Sequence, residues 1–200
     1  MDVGADVVSF EPEKDVVLTA RFDYVSLTLS LSLNGVSADM TEGERTFCKD
    51  YALPLPSSAS HEFLGWWYQG ENGWTKAESA LDADGTTLTA MWIGKEVSLR
   101  VDASKRGWLI YKISAKLTAS VSVSEQIRDQ VSLAYRYEWT ADKNASAPGS
   151  FESVQQGESE ISVEKRADRN TWYVHARVTV TYAIGEQSGS LASATVSDRG

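Results

Sequence analysis

Alternation dominates the chain. Val25, Leu27, Leu29, Leu31 and Leu33 interleave with Ser26, Thr28, Ser30 and Ser32, and the run ends at Asn34-Gly35. Ile113, Ala115, Leu117, Ala119, Val121 and Val123 interleave with Ser114, Lys116, Thr118, Ser120 and Ser122. Trp172, Val174, Ala176, Val178, Val180 and Tyr182 interleave with Tyr173, His175, Arg177, Thr179 and Thr181. A strand sends successive side chains to opposite faces, so each run predicts a strand with one buried and one wet face; a helix would scatter the same apolar positions around its circumference. Asn-Gly is a turn pair. The pattern predicts an all-β, mainly antiparallel chain, with helix confined to short pieces such as residues 75–81. Parity on the third run puts Trp172 inward and His175, with Arg177, on the wet face.

A repeat is superimposed on this alternation. Leu18-Thr19-Ala20-Arg21-Phe22 returns as Leu88-Thr89-Ala90-Met91-Trp92, and the next strands open with Val25-Ser26-Leu27 and Val97-Ser98-Leu99. A spacing of about 70 residues is too long for a thin solenoid and predicts an array of modules. The chain is then expected to open inside the tail of one module and to be a fragment of a longer protein.

Charge divides the chain in the same place. Residues 1–94 hold 15 acidic and 5 basic side chains, and residues 95–200 hold 13 and 14, so the net of −9 is −10 in the first half and +1 in the second. Two modules with different surfaces are expected, joined near Ile93-Gly94-Lys95-Glu96 without a flexible Gly/Ser linker. The acidic balance argues against a nucleic-acid partner. One cysteine makes no internal disulfide, and no apolar run approaches a membrane span, so no membrane insertion is expected of this fragment.

The order Phe63-Leu64-Gly65-Trp66-Trp67-Tyr68, Gly73-Trp74-Thr75 and Leu88-Thr89-Ala90-Met91-Trp92 resembles the Listeria–Bacteroides repeat, which is similar to the internalin B-repeat. That family runs as an extended strand, F-x-G-W-Y, a short glycine-containing loop and a closing T-L-x-A-x-W. The likeness covers about residues 24–93, and residues 7–22 resemble the close of a preceding copy. Trp67 is an extra aromatic, and the usual double glycine after the first strand is only Asn34-Gly35. The resemblance implies a small β-grasp-like module found in tandem on secreted and surface-anchored bacterial proteins. Phe63, Trp66 and Trp92 would supply its core, with Gly65 permitting a bulge. Trp67, out of phase with Trp66, is expected to face solvent, and Trp67, Tyr68 and Trp74 would be the platform if the module stacked on a sugar.

Residues 95–200 resemble a bacterial immunoglobulin-like domain. Leu133-Ala134-Tyr135-Arg136-Tyr137-Glu138-Trp139 is similar to a strand C whose Trp packs between sheets, and residues 171–182 with Gly185 and residues 190–196 to an F–G hairpin. About seven short strands over about 100 residues fit such a sandwich, here with no cysteine at either bridge position.

Candidate chemistry is sparse. Asp82-Ala83-Asp84-Gly85 offers spaced hard oxygen ligands, but the further carboxylates of a calcium loop are missing at that spacing; no metal site is expected, Asp82 and Asp84 being the nearest approach to one. Glu42, Glu44, Glu62, Glu71 and Glu78 include no spacing that sets two carboxylates across a sugar, and read as acidic surface. Cys48 and His61 would make a nucleophile and base only with a third group to orient them, and the sequence offers none. Asn144-Ala145-Ser146 fits a glycosylation acceptor and otherwise reads as loop. The expectation is therefore a non-enzymatic, cofactor-free stalk or adhesion segment of an extracellular, secreted or cell-surface protein, touching neighbouring repeats and a host or surface protein or glycan. Its domains are a module tail at 1–22, a β-grasp-like repeat at 23–94 and an immunoglobulin-like β-sandwich at 95–200. The rival readings are a carbohydrate-binding module and accessory domains of a secreted enzyme.

Overall fold

Strand β6 (Thr87–Arg106) organises the fold, running 20 residues without leaving the sheet. The computed structural model describes residues 30–41, 53–79 and 86–200, in which strands dominate. Strand β1 (Ser30–Ser32) lies parallel to the start of β6, with Ser30 opposite Thr87. A short pair, β2 (Asp39–Thr41) and β3 (Leu55–Ser57), forms its own small sheet. On the other edge of β6 lies β4 (His61–Gly70), antiparallel, which turns back through β5 (Gly73–Lys76). Past Gly94 the partner of β6 is β7 (Tyr111–Val123), which in turn pairs with β10 (Glu160–Ala167). The same strand thus pairs with β4 along its first half and with β7 along its second, within one sheet, through an irregularity between Ile93 and Val97. At roughly 3.3 Å per residue it spans about 65 Å.

The second sheet runs β12 (Gln187–Ala192), β11 (Tyr173–Ile184), β8 (Ser132–Asp142), β9 (Ser153–Gly157), with β13 (Val196–Arg199) also on β11. It packs against the far half of β6, β7 and β10 as a β-sandwich, with Leu117, Ile113, Tyr137 and Val178 buried between the layers. Two of the alternating runs sit where their pattern put them: Ile113, Ala115, Leu117, Ala119 and Val123 are buried on β7, and Val174, Ala176, Val178, Val180 and Tyr182 on β11. Residues 25–29 of the first run, the first copy of the repeat and the expected module tail at 1–22 lie outside the described residues. On β8 the deepest aromatic is Tyr137, whose hydroxyl donates to the Glu158 carbonyl at 3.0 Å; Trp139 is partly buried against the same core.

Three local expectations need correction. Thr75 and Lys76 belong to β5, because the Gly70–Gly73 hairpin returns the chain along β4; residues 80 and 81 lie outside the described residues. The helical turn among the described residues is instead a 3₁₀ segment at Glu125–Gln130, with Ile127 buried. His175 is buried, with no exposed surface. Its Nδ1 meets Ser197 Oγ at 2.6 Å and its Nε2 meets the Asn144 carbonyl at 2.9 Å, so β13 and the loop after β8 cover a face that alternation alone would leave wet.

Trp67 is the third correction, being only 4% exposed. The register of β4 against β6 slips between Phe63 and Gly65, and Gly65 has φ +120, a conformation that favours glycine. The extra residue resets the parity: Phe63 and Trp66 share one face, Leu64 and Trp67 the other. Both faces are covered. Trp66, Leu88, Ala90 and Trp92 form a separate apolar cluster on one side, while Leu64, Trp67, Met91 and Ile93 join the core that continues into the sandwich. No helix among the described residues is long and apolar enough to cross a membrane.

Candidate functional site

A set of specific contacts ties the β4–β6 sheet to the sandwich. Tyr182 on β11 donates its hydroxyl to Glu62 Oε2 of β4, and Gln187 Nε2 donates to the Phe63 carbonyl at 2.9 Å. From the other side, Asn34 and Gln126 exchange side-chain amide bonds at 3.3 and 3.2 Å, tying the turn after β1 to the 3₁₀ segment after β7. Asn34 has φ 53 and Gly35 φ 77, so the turn foreseen from Asn-Gly forms and aims the Asn34 amide at that segment. Ser124 fastens β6 itself: its Oγ accepts from the Trp92 N–H at 2.9 Å, and its own N–H donates to the Trp92 carbonyl at 3.0 Å. Gln130 Nε2 reaches the Trp74 carbonyl at 3.2 Å. A continuous strand, a continuous apolar core and polar ties on both flanks therefore bridge positions 94–96.

The predicted sugar platform is not assembled. Trp67 is buried, Tyr68 packs on the Trp66–Trp92 cluster, and Trp74 packs on the sandwich-side core, so the three do not share a face. Trp66 Nε1 donates to the Pro54 carbonyl at 2.7 Å, whereas Trp67 Nε1 is buried without a partner. Asp82, Asp84, Cys48, Glu42 and Glu44 lie outside the described residues. Glu62 serves Tyr182 and Glu71 is exposed. His61 Nδ1 meets Ser60 Oγ at 2.9 Å, and its ring meets the Trp92 ring in an edge contact at 6.4 Å. Among the described residues no three His, Cys, Asp or Glu side chains converge as a metal-binding group.

One feature escaped the sequence reading. The β6–β7 hairpin ends in Trp108, Leu109 and Ile110, which are 86%, 76% and 57% exposed. Its signal was present: a glycine at 107, three apolar residues, and cations at 105, 106 and 112 between two alternating strands. No protein-family profile, no curated protein and no solved structure matches this chain.

Two phenols make the fold alkali-sensitive. Burial pushes Tyr182 up to about 12, reinforced by the hydrogen bond to the Glu62 carboxylate. Burial also pushes Tyr137 up to about 12, with Tyr135 and Glu160 adding. Each folded phenol holds its proton above the ordinary pKa of 10, so its contribution is complete below pH about 10 and lost as pH rises toward about 12. Urea unfolding across that window should show stability falling by on the order of 2 kcal/mol per tyrosine. Tyr182→Phe should flatten about half of the fall, and an unchanged slope in that variant would contradict the assignment.

Proposed function

We propose that the chain is a semi-rigid spacer and adhesion segment of a secreted or surface-anchored bacterial protein, built from a β-grasp-like repeat and an immunoglobulin-like sandwich. The observation that carries this reading is β6, shared end to end by the two units. A spacer must transmit position, and a joint made of one strand with packed side chains on both faces resists bending where a Gly/Ser linker would not. The parallel pairing of β1 with the closing strand, and the β4–β5 hairpin on the opposite edge, support the β-grasp-like reading. The β6-β7-β10 and β9-β8-β11-β12 layers support the immunoglobulin-like one. The exposed Ser, Thr and charged positions on the outer strand faces suit a segment held in water along its length.

Distance measurement tests it. With Cys48 replaced by Ser, spin labels at Thr75 and Ser162, both exposed and on strands of different units, should give one narrow distance distribution. A broad or multiple distribution would rule out a spacer that holds its two units in register.

A further inference from the structure

The β6–β7 tip sets exposed apolar side chains beside clustered cations. Gly107 has φ +118, and a Cβ there would stand 2.0 Å from the Ile110 carbonyl oxygen, so the turn is built tightly around a glycine. The tight bend leaves Trp108, Leu109 and Ile110 all projecting into solvent. Three consecutive exposed apolar residues are not a by-product of a folded surface. Beneath them, Arg106, Lys112 and Arg166 stand directly opposite one another across three neighbouring strands, all exposed. Like charges in that register repel. Glu164 pairs with Lys112 at 2.7 Å, but among the described residues neither Arg106 nor Arg166 has an ion pair. A shallow open hollow beside the tip is lined by Arg106, Gly107, Ile110, Lys112 and Glu164. In a chain of net charge −9, this is a local cationic spot under an apolar knob.

We propose that this tip docks on an anionic lipid surface, with Trp108, Leu109 and Ile110 entering the headgroup–acyl boundary and Arg106, Lys112 and Arg166 meeting the phosphates. The shape favours lipid over protein. A flat protein interface would use alternate residues on one side of the hairpin, and a stable one needs about 800 Å² per partner; three side chains pointing around a bend suit a fluid apolar phase that closes on every side. Tryptophan favours that boundary, and each nearby Lys or Arg adds attraction to an anionic leaflet. Such docking needs no spanning segment, since the tip only dips into the interface. The proposal is independent of the spacer reading.

Co-sedimentation of the full chain with lipid vesicles tests it. Vesicles rich in phosphatidylglycerol should pellet the protein at low salt, at least tenfold more strongly than pure phosphatidylcholine. Trp108→Ser with Leu109→Ser should lower binding by about tenfold or more, and Arg106→Gln with Arg166→Gln by roughly fivefold per cation, with a weaker salt dependence. Lipids brominated on the acyl chain should quench part of the wild-type tryptophan fluorescence, a part missing in Trp108→Phe. All these side chains are exposed, so thermal midpoints should not move, which separates lost binding from lost folding. Failure of the wild type to pellet with any vesicle overturns the proposal, as does full binding by the Trp108→Ser, Leu109→Ser variant. So does an outcome in which the tip variant alters only self-association, which would make the knob a protein contact.

Discussion

Trp92→Ala is expected to destabilise the protein by about 4 kcal/mol, among the largest losses available to one substitution. Trp92 is 2% exposed at the centre of the cluster formed with Trp66, Leu88 and Ala90, and its ring lies 5.4 Å from that of Phe63. Truncation removes that apolar area and leaves a cavity in a layer thin enough to have little else. It also removes the indole N–H that donates to the Leu33 carbonyl at 3.0 Å, leaving that carbonyl only the Val36 N–H of its own turn at 3.1 Å, so β1 and its turn lose a tie to β6. The two bonds between the Trp92 backbone and Ser124 survive, because they use main-chain atoms. The loss should therefore fall on the β1–β4–β6 unit. Urea midpoints and near-ultraviolet circular dichroism measure it. Trp92→Phe, which keeps most of the volume and loses the N–H with part of the ring, should cost about 1–2 kcal/mol. Equal losses from the two variants would mean that the cavity is not what matters.

Leu64→Asp should uncouple the β4 end of the long sheet from the sandwich. Leu64 is wholly buried beside Met91 and Ile93 in the core that runs on into the sandwich. Leu64→Ala should cost about 2–5 kcal/mol through cavity formation alone. A carboxylate at the same place adds the penalty of an unpaired buried charge, so the aspartate variant should lose more than the alanine variant at neutral pH. Burial raises a carboxyl pKa, and the neutral acid tolerates the site better. The gap between the two variants should thus narrow as pH falls toward 4. In calorimetry the wild type should melt in one transition, because β6 and its core run through both ends of the sheet, and Leu64→Asp should melt in two. A single transition in that variant would show that Leu64 does not carry the coupling.

What the sequence made legible follows from where one face of a strand meets water. The runs on β7 and β11 were readable because their outer residues are Ser, Thr, Lys and Arg, and their inner residues pack as the alternation says. Gly65 was readable as a bulge from its place inside an aromatic strand. The fate of Trp67 was not: it does lie opposite Trp66, but a second apolar layer covers that face too. His175 was misplaced for a different reason: the groups that bury it, Ser197 and Asn144, lie 22 and 31 residues away in the chain. The parallel pairing of β1 with β6 leaves no local trace, since alternation says which face is buried and nothing about which strand is adjacent. As for site chemistry, a motif for a sugar platform was visible as three aromatics in a row of turns, but the platform needs them coplanar, a property of register that no spacing encodes.

The long shared strand also dictates when things happen during synthesis. Ser30 finds its partner only when Thr87 has been made, and at about 5–20 residues per second β1 waits for several seconds. The far half of β6 then emerges before β7 exists to pair with it. For that interval Val97, Leu99 and Val101, buried in the finished protein, lie on an unpartnered strand that any other nascent chain can extend. The same stretch carries Lys95, Glu96, Arg100, Asp102, Lys105 and Arg106 between and beyond those residues. Charges so placed act as gatekeepers: harmless on the wet face once folding is complete, and repulsive to a second copy while it is not.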